Sequence, residues 1–318
     1  MEIPASVLDS IGSTPIAPLR KVVPKGSAQV LCKLEWANPT GSMKDRMAKA
    51  VIQAAARDGR IRVGDTVVEY TAGTTGISLA LVCAASGYNL HIVFSDAFAE
   101  EKRLTMQAFG AEITDVKSDR RRITEKLIRE MIETSRKISE RPGHWWSDQL
   151  TNRDAISGYL PMGEEIWTQT DGDVDAFVQA VGTAHSIHGV TRALRNHRRD
   201  IHVVAVEPAE SAVLSGHPTG SHQIEGIGIG FIPPLWEPHE VDEIMTVPTI
   251  DAKRMARRLA REEGLFAGTS SGANVVAALR VAERLGPDST VVTVMVDSGL
   301  RYLSTDLYRG AAAFVPGQ

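Results

Sequence analysis

The chain has 318 residues, of which 43% are hydrophobic and 23% are charged, and its formal net charge is −4. This length can bury a large core in one or two domains, and the slightly acidic balance excludes the basic footprint of a nucleic-acid-binding protein. No apolar run is long enough to cross a membrane, and the N-terminus lacks the basic start and apolar core of a signal peptide. The two cysteines provide neither a disulfide framework nor a zinc pattern. We therefore expect a cytoplasmic protein without nucleic-acid or membrane partners.

The first informative segment, residues 38–46, has the sequence Asn-Pro-Thr-Gly-Ser-Met-Lys-Asp-Arg. It lies between a β-like run at residues 30–35 and a helical run at residues 47–56, and its Asn, Pro, Gly and Ser residues predict a turn. Lys44 lies where the helix begins, and the helix dipole disfavours a cation there and lowers the pKa of its ammonium group. A lysine that has lost its proton can attack a carbonyl. Taken alone, however, Lys44 is more simply interpreted as a surface lysine.

Two segments further along the chain share one pattern, a strand that leads into a glycine-containing loop and then a helix. The first has a predicted strand at residues 66–70 and the loop Thr-Ala-Gly-Thr-Thr-Gly at 71–76. The second has a predicted strand at residues 175–181 and the loop Gly-Thr-Ala-His-Ser-Ile-His-Gly at 182–189. Such a loop offers backbone N–H groups to an anion. An ordinary turn between a strand and a helix has the same pattern, so neither loop by itself identifies a ligand.

The remaining elements alternate between strands and helices, which predicts parallel sheets with helical crossovers. Further strands are predicted at residues 91–94, 113–116, 202–207 and 291–296, and further helices at 77–86, 101–109, 120–140, 163–167, 190–196 and 252–263.

Two other patterns suggest ligands that we reject. The Gly-x-Gly-x-Gly run at residues 226–230 suggests a dinucleotide loop, but no predicted strand precedes it, and Pro233 and Pro234 prevent a helix after it. His185 and His188 suggest a metal site, but no carboxylate or cysteine nearby completes a ligand set. We therefore predict no bound metal.

Taken together, these motifs resemble the cysteine synthase and cystathionine β-synthase family, whose members use pyridoxal 5'-phosphate (PLP). The match runs from residue 11 to residue 305 and ends with Asp-Ser-Gly-Leu-Arg-Tyr-Leu-Ser-Thr at 297–305. The resemblance implies an α/β fold of type II, with two open, mainly parallel twisted sheets, helices on both faces and PLP in the cleft between domains. It implies a smaller, mobile domain at residues 45–148 and a larger PLP-binding domain formed by residues 1–44 and 149–318.

The resemblance also implies the site residues. Lys44 would hold PLP as a Schiff base and then act as a general base, Gln149 would contact the substrate carboxylate, and Ser270 would meet the pyridine nitrogen. The implied PLP-binding residues are Lys44, Thr74, Gly182, Thr183, Ala184, His185, Ser186 and Ser270. The implied substrate-binding residues are Thr71, Ala72, Gly73, Thr75, Gln149 and Gly226.

Within the two loops, four positions depart from the family's pattern. In the first loop, Ala72 replaces a serine and Thr74 replaces an asparagine; in the second, Ala184 and His185 replace two glycines. Ala72 cannot donate the hydrogen bond that a serine would give to the substrate. His185 would either contact the phosphate or project into the site. These departures argue against assuming the common O-acetylserine activity.

The chemistry implied by the resemblance is β-replacement on an O-activated serine, or on serine or cysteine, through an aminoacrylate. Its partners would be a small amino-acid substrate and a small nucleophile, and the family's usual form is a homodimer. One alternative is a β-elimination lyase, either a serine/threonine dehydratase or a cysteine desulfhydrase. Another is a non-catalytic PLP-binding protein. The sequence leaves the leaving group and the nucleophile open.

Overall fold

The computed structural model describes residues 5–120 and 123–309. In chain order, its strands are β1 (Ile16–Pro18), β2 (Gln29–Leu34), β3 (Thr66–Tyr70), β4 (Asn89–Ser95), β5 (Glu112–Val116), β6 (His144–Trp146), β7 (Ala176–Ala180), β8 (His202–Pro208), β9 (Glu243–Val247) and β10 (Thr290–Met295). The α-helices are α1 (Lys44–Arg57), α2 (Thr74–Ser86), α3 (Glu100–Ala108), α4 (Glu125–Ser139), α5 (Asp154–Ser157), α6 (Leu160–Gln169), α7 (His185–His197), α8 (Thr249–Arg258) and α9 (Thr269–Leu285).

The strands form two open sheets. One has six strands in the order β1-β2-β10-β7-β8-β9, and the other has four in the order β5-β4-β3-β6. All pairings are parallel except that of β1 with β2. The predicted α/β class with two mainly parallel sheets is therefore confirmed.

Helices cover both faces of the six-stranded sheet because both faces of its strands are apolar. Along β10, Val291 packs into a core with residues of α8 and α9, while Val292 packs into the core on the opposite face with residues of α6 and α7. Successive side chains of a strand point to opposite faces, and all five residues of β7 are buried. Such continuous apolar runs are typical of parallel sheets that are covered on both sides.

The four-stranded sheet is built in the same way. Val67 of β3 packs with Ile77 and Leu79 of α2, whereas Val68 packs on the other face with Leu127 of α4. Alternation along a single strand therefore supplies the cores of both layers.

Helix α1 connects the two sheets and places one face against each. Met47 and Val51 join the core of the six-stranded sheet, while Ala48 and Ile52 join the core of the four-stranded sheet. Residues four apart lie on the same face of a helix, which explains this division. The first residue of this connecting helix is Lys44, so the lysine lies where the two sheets meet.

Several predicted element boundaries are wrong. Helix α2 begins at Thr74 and α7 at His185, so both predicted loops extend into the first helical turn. Helix α4 begins at Glu125, after Thr124 caps it by accepting a hydrogen bond from the Leu127 amide, and not at residue 120; residues 121 and 122 lie outside the described part. Strands β6 and β9 were not predicted: β6 has only three residues, and Val247 is the one fully buried residue of the two strands.

Among the described residues, no helix is both long and apolar enough to cross a membrane. The division of the chain into domains at residues 44 and 148 remains a prediction.

Candidate active site

The site begins with the segment before α1, which lies against the end of β10. Ser42 pairs with Asp297 in an isolated antiparallel bridge. The Met43 amide donates to the Val296 carbonyl at 3.0 Å, and the Ser298 amide donates to Gly41 at 3.0 Å. These backbone bonds hold Lys44 at the carboxyl edge of the six-stranded sheet, the edge at which open α/β sheets bind ligands.

Lys44 has the properties of a reactive amine. Its side chain is partly buried, and within the described chain its Nζ has no hydrogen-bond partner. Burial lowers the pKa of Lys44 to about 8, against the opposing attraction of the Asp297 carboxylate. Roughly a tenth of the amine is then unprotonated at pH 7, far more than for an ordinary lysine, and the unprotonated amine is the form that a nucleophile or a general base requires.

The second loop, residues 182–186, follows β7 and presents the N-terminus of α7. The amides of His185, Ser186 and Ile187 donate to no acceptor in the described residues, so three N–H groups converge at the positive end of a helix. The Ser186 hydroxyl accepts a hydrogen bond from Gln179 at 2.6 Å. Gly182 admits no side chain, because a Cβ there would lie 2.4 Å from the Gly226 carbonyl oxygen. The loop is therefore shaped as an anion cradle.

His185 carries the most unusual side chain of this loop. The ring is 1% exposed, its Nδ1 is hydrogen-bonded to the Thr183 hydroxyl at 3.0 Å, and its Nε2 has no hydrogen-bond partner. Burial and the neighbouring Lys44 lower the pKa of His185 to about 3, although the adjacent Gln149 backbone favours the charged ring. The imidazole is therefore neutral, and its free nitrogen is available to a bound molecule.

The first loop, residues 71–76, follows β3 and is braced from within. The Thr71 hydroxyl accepts hydrogen bonds from the amides of Gly73 at 2.9 Å and Gly76 at 3.2 Å. The amides of Thr74 and Thr75 donate to no acceptor in the described residues, so they are free to bind an anion. Ala72 is exposed at the start of the loop.

Gln149 closes one side of the first loop. Its Oε1 accepts a hydrogen bond from the Thr75 hydroxyl at 2.9 Å, and its Nε2 donates to the Tyr70 carbonyl at 2.9 Å. The residue is 7% exposed, so it is a fixed part of the loop and not a surface glutamine.

Ser270 lies in the first turn of α9 and is 2% exposed. The neighbouring hydroxyl groups anchor this turn: Ser271 accepts from the Val296 amide at 2.9 Å, and Thr269 accepts from the Glu225 amide at 3.0 Å. The turn is therefore tied both to the end of β10 and to the loop that contains Gly226.

Three charged residues of the site were missed by the sequence analysis. Lys102 of α3 forms an ion pair with Glu225, and its Nζ lies 5.4 Å from the centre of the Tyr302 ring. Asp297 accepts a hydrogen bond from the Tyr302 hydroxyl at 2.7 Å through one oxygen, while its Oδ1 is buried without a partner. No local pattern marks Lys102 or Glu225, because they are 123 positions apart.

A third group of side chains, Glu237, His239 and Glu240, has ligand atoms within 4.8 Å of one another. Its carboxylates already pair with Arg192 at 2.9 and 2.7 Å. We interpret the group as an ion-pair cluster.

These features fit PLP. The amine of Lys44 has no hydrogen-bond partner and can react with the aldehyde of PLP. The three free amides at the N-terminus of α7 can donate hydrogen bonds to its phosphate. The buried Nε2 of His185 and Oδ1 of Asp297 lack protein partners. The structure thus provides a set of groups whose polar requirements a bound cofactor can meet.

Comparisons with known proteins agree with this arrangement. Residues 7–297 match the family described as pyridoxal-phosphate dependent enzyme. A cysteine synthase of Staphylococcus aureus is 40% identical over 305 residues, which cover 95% of this chain and 96% of the relative. The crystal structure of a cysteine synthase from Entamoeba histolytica superposes with a TM-score of 0.92 at 37% identity, covering 100% of this chain and 93% of the other. An O-ureido-L-serine synthase superposes with a TM-score of 0.92 at 34% identity, covering 99% and 98%.

Proposed function

Since this chain belongs to the family of pyridoxal-phosphate dependent enzymes, we propose that it catalyses β-replacement on an O-activated serine. The observation that carries the proposal is the position of Lys44. Its unbonded amine, with a pKa lowered to about 8, lies where the two sheets meet, at the same edge as the anion cradle of the second loop. Relatives that are cysteine synthases support this chemistry.

We assign the cofactor to residues of the six-stranded sheet. Lys44 would bind the aldehyde carbon of PLP, and the free amides of the second loop, with the Thr183 and Ser186 hydroxyls, would hold its phosphate. The buried Ser270 hydroxyl would face the pyridine nitrogen, and Thr74 would approach the phenolic oxygen. When bound, PLP supplies an electron sink that loosens the bonds at Cα and Cβ of an amino acid.

The chain's own residues would orient the amino acid and move its proton. The amides of Thr74 and Thr75 and the side chain of Gln149 would bind the substrate carboxylate. Lys44, once released from the cofactor, would take the α-proton as a general base; a pKa of about 8 suits that task near neutral pH. The neutral imidazole of His185 would turn its free Nε2 toward the bound molecule.

Membership of this family does not determine which nucleophile the enzyme uses. Similar structures include cysteine synthases, an O-ureido-L-serine synthase at 34% identity, and an O-acetylserine dependent cystathionine β-synthase from Helicobacter pylori at 34% identity. The names of these proteins imply different nucleophiles. We propose a small nucleophile and leave its identity to product analysis.

A second candidate function is β-elimination. The structure of a hydrogen sulfide-producing enzyme from Fusobacterium nucleatum superposes with a TM-score of 0.88 at 32% identity. Product analysis with and without added sulfide separates the two activities, since replacement yields a new amino acid and elimination yields a keto acid.

We further propose a cytoplasmic homodimer with two domains, residues 45–148 moving against residues 1–44 and 149–318. The Lys102–Glu225 ion pair crosses the proposed boundary, because it joins a helix of the four-stranded sheet to a loop beside the six-stranded sheet. Sedimentation and limited proteolysis test the dimer and the boundary.

The first experiment records the visible absorbance of the purified protein and then adds O-acetylserine, O-phosphoserine, serine and cysteine in turn. We expect an absorbance band of lysine-bound PLP that shifts with at least one donor, and a new amino acid when sulfide is present. The matched control is Lys44→Ala, which should lack the band. A protein that shows no band after PLP is added would overturn the proposal.

A further inference from the structure

A buried carboxylate lies directly beneath the first loop, and no step proposed above uses it. Glu69, in β3, is fully buried. Its Oε1 accepts hydrogen bonds from the Tyr70 amide at 3.0 Å and the Trp146 indole at 3.4 Å. Its Oε2 accepts from the Ser147 hydroxyl at 2.7 Å and the Gln149 amide at 2.9 Å. Four donors thus converge on one carboxylate, the number that its two oxygens can accept.

These bonds determine where Gln149 lies. Its backbone is held by Glu69, and its side chain is held by Thr75 at 2.9 Å and by the Tyr70 carbonyl at 2.9 Å. Thr75 is one of the loop residues whose amide has no acceptor in the described residues. A displacement of Gln149 would therefore displace a group on the first loop that would bind the substrate carboxylate.

The Ser147 hydroxyl can form either of two hydrogen bonds, depending on whether Glu69 is ionised. It lies 2.7 Å from Oε2 of Glu69 and 3.3 Å from the Val68 carbonyl. When Glu69 is ionised, the hydroxyl donates to it. When Glu69 is protonated, the hydroxyl can donate to the Val68 carbonyl instead and accept a hydrogen bond from the carboxyl O–H. The Gln149 amide then loses a charged acceptor, and such bonds are the stronger ones.

We propose that Glu69 is a positioning residue for the amino-acid substrate, and that its ionised form holds Gln149 and Thr75 in the arrangement that binds the substrate carboxylate. This inference rests on the proposed function, because it takes the first loop as the carboxylate site. Glu69 would contact neither substrate nor cofactor and would act through its hydrogen bond to the Gln149 amide.

The surroundings of Glu69 place its titration near neutral pH. Burial and, to a smaller extent, the nearby Asp148 carboxylate raise the pKa of Glu69 to about 7, against the opposing hydrogen bonds from Ser147 and Gln149. On its own strand Tyr70 is a neutral phenol whose pKa is raised by burial and by Glu69, and β4 places the apolar Ile92 opposite. The ionised form therefore accumulates above about pH 7, and substrate affinity should rise with pH across that range.

The test compares three variants of the PLP-loaded protein. Glu69→Gln introduces an NH₂ group that must face either the Gln149 amide or both the Tyr70 amide and the Trp146 indole, so the KM for the amino-acid donor should rise roughly 10- to 100-fold with a smaller change in kcat. Ser147→Ala removes a bond that favours the ionised form, so the pH midpoint of substrate affinity should move upward. Asp148→Asn removes a repelling charge, so the midpoint should move downward.

Affinity is measured by titrating the cofactor absorbance with O-acetylserine and with L-serine between pH 6 and 9, at about one point per half unit of pH. Titration reports binding apart from turnover. If turnover fails in the parent protein but the titration still separates the variants, the proposed reaction fails and the positioning role stands.

Opposite midpoint shifts in Ser147→Ala and Asp148→Asn, with the step near pH 7 absent from Glu69→Gln, would support the inference. A Glu69→Gln protein with the parent's KM would overturn it. Unmoved midpoints in both neighbouring variants would also overturn it, because a purely structural carboxylate predicts no such shift. If Glu69→Gln does not fold, the two neighbouring variants decide the question alone.

Discussion

The two glycine-containing loops follow the same local plan, yet they are stabilised in different ways. The first loop is braced by hydroxyl and amide side chains, since Thr71 bonds two of its amides and Gln149 bonds Thr75. The second loop depends on backbone shape: Gly182 lies against the Gly226 carbonyl, and Ala184 adopts a left-handed conformation with φ of 69°. Side-chain hydrogen bonds thus determine the shape of the first loop, whereas backbone geometry determines the shape of the second.

This difference bears on the four loop positions that depart from the pattern implied by the resemblance. A loop held by its backbone can keep its shape when a side chain is added, and the second loop accommodates the buried His185 ring. In the first loop, Ala72 and Thr74 lie next in sequence to the bracing residues Thr71 and Thr75, so they can change the ligand while the bracing stays in place. We therefore expect changes in the first loop to alter substrate choice and changes in the second to alter cofactor retention.

The largest effect should come from Lys44, which would both bind the cofactor and take the α-proton of the substrate. Lys44→Ala should lower turnover by at least about 1,000-fold, since it removes both the covalent anchor and the general base. In the parent protein freed of PLP, trapping of added PLP by borohydride should rise with pH through about 8, because the neutral amine is the reactive form and burial lowers the pKa of Lys44.

Lys137→Ala, which changes an exposed lysine on α4, is the control for Lys44→Ala. Peptide mapping of the trapped protein should locate the label on Lys44. A label distributed over several lysines would show that Lys44 is not distinguished by its surroundings.

The comparison between the loops is tested directly by placing one methyl group in each. Gly182→Ala would put a Cβ 2.4 Å from the Gly226 carbonyl oxygen, whereas Gly73→Ala, at a φ of 127°, would put one 2.3 Å from the Lys102 side chain. Gly182→Ala should weaken PLP retention. Gly73→Ala should keep PLP and weaken amino-acid binding, with losses on the order of 10- to 100-fold in each case.

Equilibrium dialysis of PLP and absorbance titration with O-acetylserine measure the two effects separately. Gly59→Ala is a matched control, because Gly59 also has a positive φ but no atom would lie within 4 Å of the added Cβ. If both site variants lost PLP equally, the distinction between the loops would be wrong.

A smaller effect should follow from the Lys102–Glu225 ion pair, which joins the two halves of the site. Lys102→Met leaves the partly exposed Glu225 without its partner, so the free energy of unfolding should fall by about 1–2 kcal/mol. Glu225→Gln should cost a similar amount because it leaves the buried Lys102 ammonium uncompensated. Urea unfolding measures both.

The double variant Lys102→Met/Glu225→Gln should recover part of that loss, because neither charge is then left alone. A double variant whose loss equals the sum of the two single losses would show that the pair is not coupled. Faster proteolysis near residues 44 and 148 in the single variants would support the proposed domain boundary.

The smallest effect concerns Ala184. Ala184→Gly should relieve left-handed strain of about 1 kcal/mol but add backbone entropy to the unfolded chain, so the net gain in unfolding free energy should be under about 1 kcal/mol. Thermal unfolding of the PLP-loaded protein measures it. A destabilised variant would show that the Ala184 methyl group contributes packing that outweighs the strain.

Much of this protein was predictable because its signals are local. The turn before α1, the two strand–loop–helix segments and the apolar runs of β7 and β10 depend on residues close together in the sequence. Backbone preferences and side-chain alternation act over that range. The parallel sheets and the position of Lys44 at a helix start followed from these patterns. The resemblance to a PLP family, now confirmed at the level of the family, added the cofactor.

Other features depended on residues that only the folded chain brings together. Glu69 contacts Ser147 and Gln149 from 78 and 80 positions away, and Lys102 contacts Glu225 from 123 positions away. A glutamate within an apolar strand and a lysine within a polar helix carry no local sign of such partners. Sequence patterns therefore determined the helices and strands of this protein and the position of its reactive lysine. Tertiary packing alone decided which buried charged residues hold the loops. The reason is that burial and long-range pairing change the pKa and the role of a side chain.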